Sequence, residues 1–184
     1  MQTTYLNGLP VSWEKTNFRL TDDELGVVVN SDYYQLNLKK SNTHLTKTSF
    51  LLKDERLKRV KTFIDERMKN YVENIVEIED KFMMTHSWST ITKKGESHHS
   101  HNHPSSIFSL VFYVNSESGN LVFNLDSRLR EKFDFPYAVK NYNSFNSSTW
   151  EYPVETGDII IFPSWMYHET KPNTSDVDLS LIHI

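Results

Sequence analysis

The chain has 184 residues and a formal net charge of −4, with acidic and basic side chains interspersed along its length. This pattern disfavours nucleic acid as a main partner, because binding to a phosphate backbone needs a concentrated basic surface. No cysteine is present, which excludes disulfides, thiolate metal sites and cysteine nucleophiles. Aromatic residues make up 13% of the chain and can fill the core of one domain spanning residues 1–184.

The apolar runs are too short to cross a bilayer, and the amino-terminal residues lack the pattern of a secretory signal. We therefore expect a cytoplasmic protein with no membrane partner. Nothing in the sequence indicates an oligomeric state.

Residues 1–80 are expected to form an amino-terminal extension. Short apolar runs at residues 26–29 and 33–38 lie between polar residues and predict short strands. From about residue 54 to residue 78, apolar residues recur every three or four positions without Pro or Gly. This spacing predicts one long amphipathic helix, with apolar positions at Leu57, Val60, Ile64, Met68, Tyr71, Ile75 and Ile78.

Residues 81–184 are expected to form a β core. Short β-rich runs predict strands within residues 82–92, 107–114, 121–125, 159–162 and 179–184, and turn residues separate them. Such a pattern indicates a mainly β (α+β) sandwich, barrel or jelly roll, with the long helix packed on its outside. The aperiodic stretch over residues 126–149 is expected to be a long loop over one mouth of the barrel.

The most informative motif is His101-Asn102-His103. In a strand, alternate side chains share a face, so the two imidazoles project together with their Cβ atoms about 7 Å apart. A third imidazole is offered by His168, which lies far along the chain among aromatic residues. Imidazole binds Zn, Cu, Fe and Ni alike, so these residues predict a metal site but not the identity of the metal.

Each histidine also has a structural interpretation without a metal. A His-rich tract can be a solvated loop, and this is the interpretation favoured for His98 and His99. His168 taken alone could be a buried histidine bonded to a backbone carbonyl. His86 and His183 have no supporting motif, although both could line the same cavity.

Two segments resemble a known family. Residues 88–114, which contain Trp88, Lys94-Gly95, His101-Asn102-His103-Pro104 and Phe112-Tyr113-Val114, are similar to the 2-oxoglutarate/Fe(II) oxygenase family common in phages and marine bacteria. Residues 157–168, Gly-Asp-Ile-Ile-Ile-Phe-Pro-Ser-Trp-Met-Tyr-His, resemble that family's second motif. The resemblance covers roughly residues 82–184 and does not extend to the first 80 residues.

The resemblance implies a double-stranded β-helix, or cupin-like jelly roll, in which Fe(II), O2 and 2-oxoglutarate oxidise a C–H bond. It places His101 and His168 at the two histidine ligand positions. His103 lies where the wider superfamily usually has Asp or Glu, so the expected metal ligands and catalytic residues are His101, His103 and His168. Trp88, Tyr113, Phe162 and Trp165 would form an apolar wall around the site.

The sequence departs from the implied pattern at the co-substrate site. Such enzymes usually hold the distal carboxylate of 2-oxoglutarate with an arginine about ten residues after the last histidine. That position is Asp178, which would repel the dianion. Tyr113 is a candidate neutral donor, and the candidate cations are Arg128, Lys171, Arg130 and Lys140.

The sequence therefore predicts an Fe(II)- and 2-oxoglutarate-dependent dioxygenase that hydroxylates a small-molecule or peptide substrate. Two alternatives remain open at this point. One is a three-histidine iron dioxygenase of cupin type that uses no 2-oxoglutarate. The other is a catalytically silent module that binds a metal or a partner. The sequence identifies no substrate, because the predicted lid loop carries no readable motif.

Overall fold

The structure is a computed structural model that describes residues 10–38, 41–125, 138–144 and 146–184. Its larger sheet has seven strands in the order β1-β8-β5-β10-β4-β3-β2, and its smaller sheet has the order β7-β6-β9. All of these pairings are antiparallel. The strands are β1 (Ser12–Glu14), β2 (Tyr33–Gln35), β3 (His44–Thr46), β4 (Trp88–Thr92), β5 (Phe108–Asn115), β6 (Leu121–Asn124), β7 (Thr149–Tyr152), β8 (Ile159–Pro163), β9 (His168–Thr170) and β10 (Leu179–His183).

The two sheets face each other as a double-stranded β-helix, which confirms the predicted fold class. Strands β4, β5, β8 and β10 form the middle of the larger sheet, and β6, β7 and β9 form the smaller one. Strands β1, β2 and β3 extend the two ends of the larger sheet, so part of the amino-terminal region joins the sheet instead of packing outside it.

The prediction of a strand over residues 26–29 is wrong, because helix α1 (Asp22–Val29) covers them. Thr21 and Glu24 form a capping box, in which each side chain accepts a hydrogen bond from the other residue's backbone N–H. Acidic residues fill the first turn, where their negative charges interact favourably with the positive end of the helix dipole. The capping box and the acidic first turn of α1 therefore outweigh the β preference of the three valines.

The predicted long helix is present but is not a uniform α-helix. Two 3₁₀ turns (Leu51–Lys53 and Glu55–Leu57) precede helix α2 (Lys58–Asn70), which continues into a π-helical turn (Tyr71–Ile75). The wider turn shifts the helical phase, so Tyr71 and Val72 are buried whereas Ile75 is 43% exposed. Arg59 on α2 binds the buried Glu24 carboxylate through two hydrogen bonds and joins the two helices.

Two apolar clusters form the core. One lies between the helices and the outer face of the larger sheet, where Leu110, Phe112 and Ile182 pack against residues of α1 and α2. The other lies between the two sheets and includes Val111 and Tyr113 from the opposite face of β5. Alternate residues of β5 therefore pack into different apolar clusters, because successive side chains of a strand point to opposite faces of the sheet.

The loop predicted over residues 126–149 is only partly within the described structure. Residues 126–137 and 145 lie outside it, and residues 138–144 contain no strand. The loop prediction is wrong at its end, because Thr149 begins strand β7 beside β6. Strand β4 is also shorter than the run over residues 82–92 that predicted it. The described helices are all too short or too polar for a bilayer span.

Candidate metal centre

The backbone brings the two histidine segments together at one mouth of the barrel. The His101 and His168 backbones form an isolated antiparallel bridge, with N–H to O distances of 3.0 and 2.9 Å. The His103 backbone N–H donates to the Ser164 carbonyl at 2.9 Å, in the turn between β8 and β9. The segment at residues 101–103 therefore runs beside β9 and continues the smaller sheet.

Three imidazoles converge at this point. One candidate ligand atom from each of His101, His103 and His168 lies within 4.8 Å of the others. The ring centroids are 5.0 Å apart for His101 and His103, 4.4 Å for His101 and His168, and 5.1 Å for His103 and His168. Within the part of the chain that the structure describes, this is the one group of His, Asp and Glu side chains arranged to hold a metal ion.

Backbone carbonyls orient two of the rings. The Nδ1 atom of His101 lies 2.9 Å from the His99 carbonyl, and that of His168 lies 2.9 Å from the Met166 carbonyl. A carbonyl can only accept, so Nδ1 carries the proton and the Nε2 lone pair is free to bind a cation. Among the described residues, the buried Nε2 atoms of His103 and His168 have no hydrogen-bond partner. Both observations fit a metal ion at the centre of the three rings.

Burial keeps these imidazoles neutral, which is the form that binds a metal. It lowers the pKa of His168 to about 3 and that of His103 to about 4. The pKa of His101 is also lowered, again mainly by burial. The mutual repulsion of the rings when protonated adds to the effect for His103 and His168.

Residues 86–180, which are 95 of the 184 residues, match the family model described as "Putative 2OG-Fe(II) oxygenase". The chain belongs to this family of 2OG-Fe(II) oxygenases. It is therefore an oxidoreductase that uses Fe(II), 2-oxoglutarate and O2, and the sequence-based prediction of this activity is confirmed. A search of curated proteins returned no match.

Solved structures show the same fold at low sequence identity. A 2OG-Fe(II) oxygenase family oxidoreductase from Burkholderia pseudomallei aligns with a TM-score of 0.65 and 10% identity, over 94% of this chain and 83% of that one. A prolyl hydroxylase from Trichoplax adhaerens, in complex with a hypoxia inducible factor peptide, has a TM-score of 0.59 and 14% identity over 94% and 81%. HygX from Streptomyces hygroscopicus, with nickel, 2-oxoglutarate and hygromycin B bound, has a TM-score of 0.59 and 14% identity over 86% and 74%.

Two further histidines of the oxygenase lie beside the three converging rings. His98 is only 6% exposed and stacks on His101 with 4.3 Å between ring centroids, so the prediction that His98 lies in a solvated loop is wrong. Its backbone N–H donates to the Thr170 hydroxyl, which draws the segment into the smaller sheet. His183 on β10 is 3% exposed, and its ring centroid lies 6.3 Å from that of His103.

The predicted apolar wall is present in part. Phe162 is fully buried and meets His168 edge to face at 4.7 Å, and Tyr113 is buried between the sheets. Trp88 packs against His103 at 5.4 Å. Trp165 is 59% exposed, so its predicted place in the wall is wrong. It lies in the tight turn between β8 and β9, which turns its side chain to the surface.

An open cleft of about 210 Å³ leads to the site from the surface. It is lined by Trp88, Asn102, His103 and Ser109, and His86 lies at its exposed side. His86 thus borders the cleft, whereas His183 lies in the barrel behind His103. Since a water molecule occupies about 30 Å³ in the liquid, the cleft can admit a small organic molecule.

The residues proposed for co-substrate binding lie in different environments. Tyr113 faces the barrel interior, and its hydroxyl has no hydrogen-bond partner among the described residues. Lys171 follows β9 and is exposed, and Lys140 is exposed as well. Arg128 lies outside the described residues, as does Arg130. Asp178, at the position expected for an arginine, has an exposed side chain, so its charge is directed to solvent.

Sequence reasoning missed two interior polar residues, His98 and Thr90, and it named His183 only as a residue that could line a cavity. The alternation along β4 and β10 carried a usable signal. Thr90 is two residues from Trp88, and His183 is two residues from Leu181, so each shares the inward face of its strand. Nothing in the sequence marked His98 as buried.

Proposed function

We propose that His101, His103 and His168 bind Fe(II) through their Nε2 atoms, and that the enzyme hydroxylates a C–H bond of a small-molecule or peptide substrate. The convergence of these three neutral rings, two of them oriented by carbonyls, carries the proposal. Three ligands on one side of an octahedral ion leave three positions for the co-substrate and oxygen.

The reaction balances without any further reductant. The substrate, O2 and 2-oxoglutarate give the hydroxylated product, succinate and CO2, with one oxygen atom entering each of the first two products. The chain's own part is to hold the ion and to exclude water from the oxidising site. Phe123 and Phe162 pack against His168 on the barrel side and keep that face dry.

The substrate is expected to approach through the cleft beside His103. Ile107, Trp165 and Tyr167 expose 53% to 64% of their surface and belong to segments that lead into β5 and β9. The structural neighbours include one protein bound to a peptide and one bound to hygromycin B, which supports both substrate classes.

The absence of cysteine supports a reducing compartment such as the cytoplasm. The family resemblance of the two motifs supports a phage or marine bacterial origin.

Anaerobic titration with Fe(II), followed by 2-oxoglutarate, tests the proposal. We expect one Fe(II) per chain and a visible charge-transfer band on addition of 2-oxoglutarate, since only a chelated 2-oxo acid gives that band. His168→Ala should abolish both signals, because it removes one ligand from the ion. His86→Ala is the matched control, because it removes a histidine at the cleft rim, and it should retain both.

Oxygen consumption then tests turnover. The wild-type enzyme should consume O2 and release succinate when 2-oxoglutarate is present, including slow uncoupled turnover without substrate. Stoichiometric iron binding that survives in His168→Ala would contradict the ligand assignment. Iron binding without a charge-transfer band or succinate would contradict the proposed use of this site.

A further inference from the structure

The segment that carries two of the proposed iron ligands lies at the edge of the smaller sheet. Residues 101–103 run along the side of β9 that does not pair with β6. His101 exchanges two backbone hydrogen bonds with His168, at 3.0 and 2.9 Å. The His103 N–H donates to the Ser164 carbonyl at 2.9 Å. Within the part of the chain that the structure describes, no strand pairs with the other side of this segment.

Peptide planarity fixes where the remaining backbone groups of the segment point. In a trans peptide unit, the C=O of one residue and the N–H of the next point in opposite directions. The N–H groups of His101 and His103 and the C=O of His101 all point toward β9 and the turn before it. The C=O of Ser100 and both the N–H and the C=O of Asn102 therefore point away. We call these three groups the open edge.

The open edge has no hydrogen-bond partner among the described residues. The Asn102 side chain donates to the Trp165 carbonyl at 3.5 Å, so it leans toward the turn between β8 and β9 and leaves the edge uncovered. Water can pair with the open edge in the free enzyme, and a ligand that offers the same hydrogen bonds can displace it. The edge is short, because a turn begins at Pro104, which has no N–H.

The open edge borders the route to the proposed iron. Asn102 and His103 both line the cleft of about 210 Å³. The imidazoles of His101 and His103 converge on the proposed iron, whereas the Asn102 side chain lies on the opposite face of the segment. A strand added at this edge would place alternate side chains on the face of the iron. Their Cβ atoms would lie about 4.5–5.5 Å from those of the neighbouring histidines.

This inference rests on the proposed function and narrows its substrate class. We propose that the substrate is an extended peptide that pairs with the open edge as an added strand, and that one of its side chains enters the cleft. Unpaired backbone groups at a sheet edge select a peptide, because they match its own regularly spaced donors and acceptors. One atom of O2 enters a C–H bond of that side chain, and the other enters succinate as 2-oxoglutarate loses CO2.

The open edge determines which peptide amides should matter. It offers two acceptors, the carbonyls of Ser100 and Asn102, and one donor, the Asn102 N–H. In a paired strand, the N–H groups directed to one neighbour come from every second residue. The peptide must therefore supply two N–H groups from residues that are two positions apart, in a parallel or an antiparallel arrangement. The oxidised residue should be one of these two residues or an immediate neighbour of one.

Oxidation of a pool of capped decapeptides of random sequence tests the substrate class. The enzyme receives Fe(II), 2-oxoglutarate and isotope-labelled O2, and mass spectrometry detects the labelled oxygen in the peptides. We expect label in a subset of the sequences, because pairing through the backbone tolerates many side chains. The oxidised residue supplied as a capped single amino acid should take up no label, since it cannot form the paired strand.

Backbone N-methylation of one oxidised peptide then tests the pairing. Calorimetry without oxygen gives the dissociation constant of each methylated analogue, so this readout does not depend on turnover. Methylation at two positions that are two residues apart should weaken binding at least about 10-fold, because each removes a donor and leaves a carbonyl of the open edge unpaired. Methylation of the residue between them should change the affinity by less than about 3-fold, because its N–H points away from the enzyme.

Two variants at one position test the enzyme side of the pairing. Asn102→Pro removes the N–H of the open edge and should weaken peptide binding at least about 10-fold. Proline suits the extended backbone of the preceding His101. Asn102→Ala is the matched control, because it keeps both backbone groups and loses only the side chain that leans away. The charge-transfer band checks the iron site of each variant, and the methylated peptides carry the test if Asn102→Pro loses that band.

The outcomes separate this inference from the proposed function. If the wild-type enzyme shows neither the charge-transfer band nor succinate release, the proposed function fails and this inference fails with it. If both signals are present but no peptide of the pool takes up label, only this inference is overturned. Oxidation of the capped single amino acid as readily as the peptide would also overturn it. So would a methylation series without the spacing of two, or equal peptide affinities in Asn102→Pro and Asn102→Ala when both retain the band.

Discussion

The metal-free enzyme should lose stability steeply as the pH falls below 6.5. His98, His168 and His183 are at most 6% exposed. Burial lowers the pKa of His98 to about 2 and that of His168 to about 3, and it holds the pKa of His183 well below its ordinary value. In the unfolded chain these groups titrate near 6.5. Between pH 6.5 and the folded values, the unfolded state binds protons that the folded state excludes, so acid favours unfolding.

The size of the effect follows from this difference. At pH 5 each of the three rings reduces the free energy of unfolding by about 2 kcal/mol, and together they remove about 6 kcal/mol. That loss is comparable with the whole stability of a typical domain. These three rings contribute a slope of about 4 kcal/mol per pH unit well below pH 6.5, and their contribution vanishes well above this value.

Urea unfolding of the metal-free protein, followed by tryptophan fluorescence from pH 8 to pH 5, measures this slope. His183→Phe replaces one buried imidazole by an apolar ring and should reduce the slope by about 1.4 kcal/mol per pH unit. His86→Phe, at the exposed rim of the cleft, provides the matched control and should leave the slope unchanged. A free energy of unfolding that stays constant from pH 7.5 to pH 5.5 would refute the reasoning, as would an unchanged slope in His183→Phe.

Three other expectations concern the metal and its supports. A divalent metal at about 100 times its dissociation constant should raise the free energy of unfolding of the wild type by about 2.7 kcal/mol, as measured by urea titration. It should not raise that of His168→Ala. Equal gains in both proteins would show that the metal binds elsewhere. Phe162→Ala should lower the free energy of unfolding by about 3 to 5 kcal/mol and weaken metal binding, because the Phe162 ring is fully buried against His168. Tyr142 is 73% exposed, so Tyr142→Ala should change neither the free energy of unfolding nor the metal affinity. His98→Phe should retain metal affinity because it keeps a ring stacked on His101, whereas His98→Ala should weaken binding several-fold in the same calorimetric titration; equal affinities would show that the stacking has no role.

The strands of the barrel were predictable because apolar residues at β5, β8 and β10 come in short runs between strong turn signals. The helix was predictable from its spacing up to Tyr71. Its π-helical end was not, since Ile75 continues the apolar period although the structure exposes it. At residues 26–29, the helix forms because of the capping box at Thr21 and Glu24. These two residues lie outside the apolar run from which a strand was predicted.

The site was predictable to the extent that residue spacing fixes geometry. The period of two predicts that His101 and His103 share a face. His168 stood out as a histidine among aromatic residues, and the family resemblance then supported it as the third ligand. The interior positions of Thr90 and His183 were harder to identify, because they depend on the register between strands that are far apart in the chain. Thr90 and Tyr113 come to flank Leu181 only when β10 pairs between β4 and β5. Burial of His98 depends equally on contacts with distant segments.

Crystals of the enzyme grown without oxygen with Fe(II) and 2-oxoglutarate, and measured at the iron absorption edge, test the central claim most directly. We predict one anomalous peak, about 2.0–2.2 Å from the Nε2 atoms of His101, His103 and His168. A peak bound by His98 or His99 in place of His168, or a His168 ring turned away from the iron, would contradict the account.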